Sequence, residues 1–325
     1  MKHLGVSFAG LNLRNPFIVS SSGLTNAPEK NYKWEEAGAG AIVLKSLFEE
    51  EIEAESDRVK QGLHSEESDY LRTYYRAGRL DNYLNLIAQS KKLCSIPIIA
   101  SINCFRNSEW TDFAFHLANV GADALELNVM SVCSDDDYIY GNYEQHHIEI
   151  VKQIRRTVDI PLIVKLGRNF TNPMPLIKQL YAQGVSAVVF FNRMAAFDVR
   201  IDKVAYTHGD IWGHASDLQE VLRWTGITSA RIPSLCIAAS GGVLDGTALI
   251  KSILVGASAV EVCTALYQNG TSVINEMLAF LVKWMQENHY TSVDQFRGLM
   301  NAQNGYASDR FERVQFFKHY SSRND

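Results

Sequence analysis

Gly121-Ala122-Asp123-Ala124-Leu125-Glu126-Leu127-Asn128, followed after one helical stretch by Ile160-Pro161-Leu162-Ile163-Val164-Lys165, decides the fold of this chain. The first segment opens on a glycine that ends a helix and turns at once into an apolar run. The second opens on proline, which a strand accepts best as its first residue. Both runs finish on a polar side chain. The same two kinds of start alternate along the sequence. Proline openings recur at Asn15-Pro16, Ile96-Pro97 and Ile232-Pro233, and Gly-x-x-Ala steps recur at 38–41, 184–187 and 256–259. This alternation predicts an α/β fold, the TIM (β/α)8 barrel, with its chemistry at the mouth formed by the C-terminal ends of the strands.

Helical periodicity separates the strand candidates at 28–37, 80–92, 109–120, 144–157, 173–183, 216–224, 246–255 and 272–288. Ahead of them, VSFAGLNLRNPF carries Ala9-Gly10 between alternating apolar positions and predicts an N-terminal hairpin that plugs the lower end of the barrel. Three connections after strands exceed what the fold needs and read as extended loops over the mouth: 49–79, 130–143 and 193–215. No low-complexity linker interrupts the 325 residues, so a single domain spanning 1–325 is expected.

Composition narrows the function classes. A net charge of -5, with no cluster of Lys and Arg at the strand ends, argues against nucleic acid as a partner. The five cysteines contain no C-x-x-C pair, so neither zinc nor an iron-sulfur cluster has ligands at usual spacing, and no metal is expected. His208, Asp210 and His214 match no helical ligand pair. Met1-Lys2-His3 leads into a mixed polar segment rather than an apolar signal core, and no run reaches membrane-spanning length. A cytoplasmic protein is expected.

The residues that end the strand candidates should meet in one pocket: Ser21, Ser22, Lys45, Ser46, Asn103, Asn128, Lys165, Asn192, Ser240, Gly241, Gly242 and Thr264. This rim reads as electropositive and amide-rich. Burying two lysines and three asparagines together calls for a large polar ligand that carries negative charge. The Ser240-Gly241-Gly242 turn after the seventh strand and Thr264 after the eighth lie where barrels of this type bind phosphate. Lys165 suits a Schiff-base nucleophile, a phosphate partner or a cation beside a cofactor that becomes negative on reduction.

With these segments in hand, the chain resembles the FMN-dependent dihydroorotate dehydrogenases, their soluble class in particular, over residues 11–270. NPFIVSSSG, AGAGAIVLKS, PIIASIN, GADALELN, PLIVK and AASGG…VGASAVEVCTALYQNG carry the likeness. The resemblance implies an FMN cofactor held by Ser21, Ser22, Lys45, Ser46, Asn103, Asn128, Lys165, Ser240, Gly241, Gly242 and Thr264. It implies a small-molecule substrate, dihydroorotate, against Asn128 and Asn192, and hydride transfer to flavin N5 in a step of pyrimidine biosynthesis. It further implies a homodimer and an electron-transfer partner.

Two stretches depart from that family's pattern. Its proton-abstracting base stands three residues after the fourth-strand asparagine, which makes Ser131 the matching candidate here, while Cys133, two residues on, carries the more acidic group. Lys45 completes the catalytic set. Where the family's substrate carboxylate is held by an asparagine-containing loop after the second strand, this chain has LHSEESDYLRTYY, and Arg193 follows Asn192 as a bidentate replacement. Other readings stay open at this point: the same flavin with another small unsaturated acid or ring, a lyase with Lys45 or Lys165 forming a Schiff base, or a non-catalytic flavin subunit that passes electrons on.

Overall fold

A computed structural model describes residues 4–51, 65–103, 107–130, 138–194 and 196–303, with 134, 136 and 311; for 65–76 and 107–108 it describes the backbone alone. The eight barrel strands are β3 (Phe17–Val19), β4 (Ala41–Val43), β6 (Ile98–Asn103), β7 (Ala124–Val129), β8 (Leu162–Leu166), β9 (Ala187–Phe190), β12 (Cys236–Ser240) and β13 (Ala259–Val262). They hydrogen-bond in the order β4-β3-β13-β12-β9-β8-β7-β6, and β4 pairs back onto β6, which closes the sheet. A two-residue strand β5 (Leu47–Phe48) extends β6 at its C-terminal end. All barrel pairings are parallel.

The four glycine steps work as the sequence predicts. Gly38, Gly121, Gly184 and Gly256 all have positive φ, between 87° and 117°, and each follows a helix whose last carbonyls accept from the glycine N–H and the next residue's N–H. Ala39 N donating to Trp34 O at 3.1 Å and Ala257 N donating to Ser252 O at 2.9 Å are examples. A residue with a Cβ would be strained in that backbone, so glycine stops the helix and aims the chain at the sheet. The proline starts hold for β3, β6 and β8, whose first residues directly follow Pro16, Pro97 and Pro161. The fourth differs. Its preceding helix continues to Arg231 and β12 begins only at Cys236, because Thr225, Ile227 and Thr228 extend the buried face of that helix past residue 224.

β1 (Val6–Phe8) and β2 (Leu11–Leu13) pair antiparallel around Ala9 and Gly10, both at positive φ, the conformation that matches the twist of a two-residue hairpin. Phe8, Ala9 and Leu13 are buried, and Ser7 O lies 3.9 Å from Sγ of Cys236, the first residue of β12, so the hairpin sits at the barrel's lower end. Two of the long connections hold more structure than expected. The helix before β6 runs Ser65–Leu93 rather than from residue 80, since 65–79 contains no proline and many straight-chain residues that lose little entropy in a helix. Within 193–215, β10 (Phe197–Arg200) and β11 (Ala205–His208) form an exposed antiparallel hairpin. Of the 130–143 connection, 131–133, 135 and 137 lie outside the described residues.

The core is the ring of buried Ile, Val, Leu and Ala from the strands and the helix faces around them. Each fully buried large apolar side chain contributes about 1.5–3 kcal/mol. At the start of β4, a Cβ on Gly40 would collide with the carbonyl oxygen of Asn15, whose side chain is itself committed to Gly38 O at 2.7 Å and Phe17 N at 3.0 Å. Gly40→Ala is therefore expected to destabilise the protein by about 1–3 kcal/mol, read as a lower urea midpoint at unchanged m-value.

Candidate active site

The strand ends open into one mouth with two lobes, each about 350 Å³. Ser21, Lys165, Asn192 and Arg193 border both lobes. One lobe extends over Ser240, Gly241, Gly242, Cys263 and Thr264, the other over Ser22, Lys45, Ser46, Asn103 and Asn128. All twelve predicted strand-end residues thus line a single concave region. Ser131 and Cys133 lie outside the described residues.

Register explains part of this. β7 and β8 set Asn128 beside Lys165, and β12 and β13 set Ser240 beside Glu261. Serine hydroxyls then tie the strand ends together: Ser21 Oγ lies 3.1 Å from Ser46 Oγ, which lies 2.8 Å from Ser101 Oγ, and the Ser101 N–H donates to the Tyr83 hydroxyl at 3.0 Å. Across the mouth the Asn192 amide donates to Asn128 Oδ1 at 2.6 Å and accepts from the Arg193 N–H at 2.8 Å, so both amide planes are held before any substrate arrives.

The rim is amide-rich as predicted, but its cations are paired. Lys165 Nζ is 2.6 Å from Glu261 Oε2 and 3.5 Å from Glu126 Oε1, and donates to Ser20 Oγ at 3.1 Å. Burial alone would lower its affinity for a proton; the two carboxyls outweigh that and hold it charged. Lys45 Nζ bonds Glu51 Oε1 at 2.7 Å on the more exposed side. Arg168 Nη1 and Arg193 Nη1 share Asp217 at 3.0 and 3.2 Å, and Arg193 Nη2 donates to Asp210 O at 2.7 Å. Partial burial would raise the Asp217 carboxyl, but the His214 N–H and then the two guanidinium groups hold it below its ordinary value. His214 Nε2 pairs with Asp210 Oδ2 at 2.9 Å, beside this cluster.

Glu126, Glu261, Arg168 and Asp217 escaped the sequence reading. Alternation would have found the two glutamates: Glu126 stands two residues before Asn128 and Glu261 two before Cys263, so each shares its neighbour's face of the strand. Arg168 lies beyond the end of β8 and Asp217 at a helix start, where no period points inward.

Gly241 and Gly242 have φ of 100° and 72°. A Cβ on Gly242 would lie 2.5 Å from Leu218 N and 2.8 Å from His214 O, and one on Gly241 would lie 3.0 Å from Arg168 Nη2. Glycine here keeps open a backbone cradle with a guanidinium beside it, a donor set that fits a phosphate. The Thr264 hydroxyl accepts from Gly213 N at 3.0 Å, which leaves its proton for an anion in the same lobe.

The family model described as dihydroorotate dehydrogenase matches residues 3–285. The chain belongs to the dihydroorotate dehydrogenase family. It is an oxidoreductase of the kind that acts on CH–CH donors. Its curated relatives include proteins named dihydroorotate dehydrogenase B (NAD(+)), catalytic subunit. That of Thermoplasma volcanium is 26% identical, with 92% of this chain and 99% of the relative covered. Those of Staphylococcus carnosus and Methanocella arvoryzae are 26% and 28% identical, over 87% and 80% of this chain and 94% and 86% of theirs. Among the described residues, no helix is long and apolar enough to cross a membrane.

His147 braces the strand end from which the 131–133 segment departs. Fully buried, its Nδ1 lies 2.7 Å from Tyr143 O and its Nε2 3.1 Å from Val129 O. Burial lowers its proton affinity despite the two carbonyls. The folded ring stays neutral where the unfolded chain protonates, below about pH 6.5, so the stability it supports is complete above that pH and is lost as the pH falls through the lowered folded value. His147→Gln should flatten this part of the acid slope in thermal melts between about pH 7 and pH 5.

Proposed function

We propose that this chain is an FMN-dependent enzyme that oxidises dihydroorotate to orotate in pyrimidine biosynthesis. The observation that carries the reading is the two-lobed mouth: a glycine cradle with Arg168 on one side, braced amides on the other, and Lys165 between them. FMN, bound across the lobes, would supply the hydride acceptor. Gly241, Gly242, Arg168 and Thr264 would hold its phosphate; Ser21, Ser22, Lys45, Ser46, Asn103 and Ser240 would line the rest, with Lys165 beneath. Asn128 and Asn192 would orient the flat substrate. A base on the 131–133 segment, Ser131 or Cys133, would take the C–H proton as the hydride leaves the adjacent carbon.

Lys165 is held protonated by two carboxyls, which supports a cation over a Schiff-base nucleophile and weighs against the lyase reading. One observation favours a different small acid as substrate: Arg193, the replacement carboxylate anchor, is already committed to Asp217 and Asp210 O, so binding an anion must compete with those bonds. The relatives are named as catalytic subunits with NAD(+), and we extend to this chain a partner that carries electrons onward. We extend a homodimer and a cytoplasmic setting on the family resemblance.

Purified protein should bind FMN and turn over dihydroorotate with a dye acceptor. Of Ser131→Ala and Cys133→Ala, the one that removes the base should lower kcat by about 10²–10⁴. Arg193→Ala should raise KM with little change in kcat if the guanidinium holds the substrate carboxylate. FMN binding without dihydroorotate turnover would shift the assignment to another small acid; no FMN binding at all would overturn it.

A further inference from the structure

Beneath the mouth lie three ionisable groups, two acids and one base, all buried from water. Glu126 is 0% and Glu261 2% exposed, and the Lys165 ammonium touches both. Their bonding is unequal. Glu261 Oε2 accepts from Lys165 Nζ at 2.6 Å and from the Ser20 hydroxyl at 3.0 Å. Glu126 approaches Lys165 only to 3.5 Å and lies against the Glu261 carboxyl, and neither of its oxygens accepts a hydrogen bond from a described N–H or hydroxyl donor. Two ionised carboxylates against a single ammonium would leave one net negative charge buried without donors, an arrangement with a desolvation penalty of several kcal/mol. One proton on Glu126 makes the cluster neutral. Among the described residues, Cys263 and Tyr83 are further titratable groups close to it, and burial pushes both away from ionising.

We propose that Glu261 is a tuning residue that offsets the Lys165 charge felt in the mouth, and that Glu126 is a neutral acid beneath it, held as a reserve counter-ion. The proposal rests on the FMN reading of the mouth. A ring that accepts a hydride gains one negative charge, and an unopposed ammonium would stabilise that charge strongly in a low-dielectric site. With Glu261 bonded to it, Lys165 stabilises the reduced ring less, so the ring gives up its electrons more readily to the next acceptor. When Glu261 is made neutral by substitution, Glu126 gives its proton to water and its carboxylate takes over the pairing. Glu261 thus acts through Lys165, without touching substrate.

The test compares FMN-loaded wild type, Glu126→Gln, Glu261→Gln and the double variant, reading the midpoint potential of the bound flavin against reference dyes. Glu126→Gln replaces one neutral group with another and should change the reduced-to-oxidised ratio less than about twofold. The double variant should favour the reduced form about tenfold or more, which is about 30 mV for a two-electron couple. Glu261→Gln alone should fall between them, because Glu126 ionises in compensation. A Glu126→Gln shift as large as that of the double variant, or a double variant like wild type, overturns the proposal. A second readout needs no flavin. The infrared carbonyl band of a buried protonated carboxyl should be present in wild type and lost in Glu126→Gln, and lost also in Glu261→Gln as Glu126 ionises. Its absence from wild type sinks the assignment. Failure of the wild type to take up FMN would instead remove the proposed function, while the infrared band still decides where the proton resides.

Discussion

The contact between Lys165 and the two buried glutamates is the constraint on which the mouth depends. An ammonium that is almost wholly buried persists only if its charge is met nearby, and here Glu261 meets it while Glu126 and the Ser20 hydroxyl pack against it, the three groups coming from separate strand regions. Those partners come from β13, β7 and the end of β3. Satisfying one lysine therefore fixes the relative heights of three strands from distant parts of the barrel. The position of Lys165 between the two lobes follows from that electrostatic requirement as much as from the sheet register.

The same logic recurs toward the surface in weaker form. Arg168 and Arg193 converge on Asp217, at the start of the helix Asp217–Arg231, and through it hold the 193–215 connection against the strand ends. These groups are partly exposed, so water screens them and their pairing is more easily exchanged for a ligand. The mouth thus has a rigid floor of buried ion pairs and a rim of exchangeable ones, an arrangement that suits a tightly held cofactor below and a transient substrate above.

Much of this was legible from the chain. The alternation of proline and glycine starts predicted the barrel because each marks a backbone property: a first strand residue that needs no ladder donor, or a left-handed helix end. The strand-end residues could be listed because in a parallel barrel all strand C-termini open on one face. Hidden were the partners. Glu126 and Glu261 stand on the strand faces that alternation points at the mouth, but nothing local pairs them with Lys165, and Asp217 reads as an ordinary acidic residue in a helix first turn. The exposed hairpin of β10 and β11 was equally hidden, since its apolar residues, Phe197, Ile201, Val204 and Tyr206, resemble those of a buried strand.

The sequence by itself determined where strands and helices begin, which end of the barrel carries polar side chains, and which family those side chains resemble. Only the tertiary structure decided the charge state of the site. Backbone punctuation is local, written in φ preferences and missing N–H groups, and can be read one segment at a time. Whether a lysine is a free cation or half of an ion pair depends on residues 39 and 96 positions away, which only closure of the barrel brings within reach.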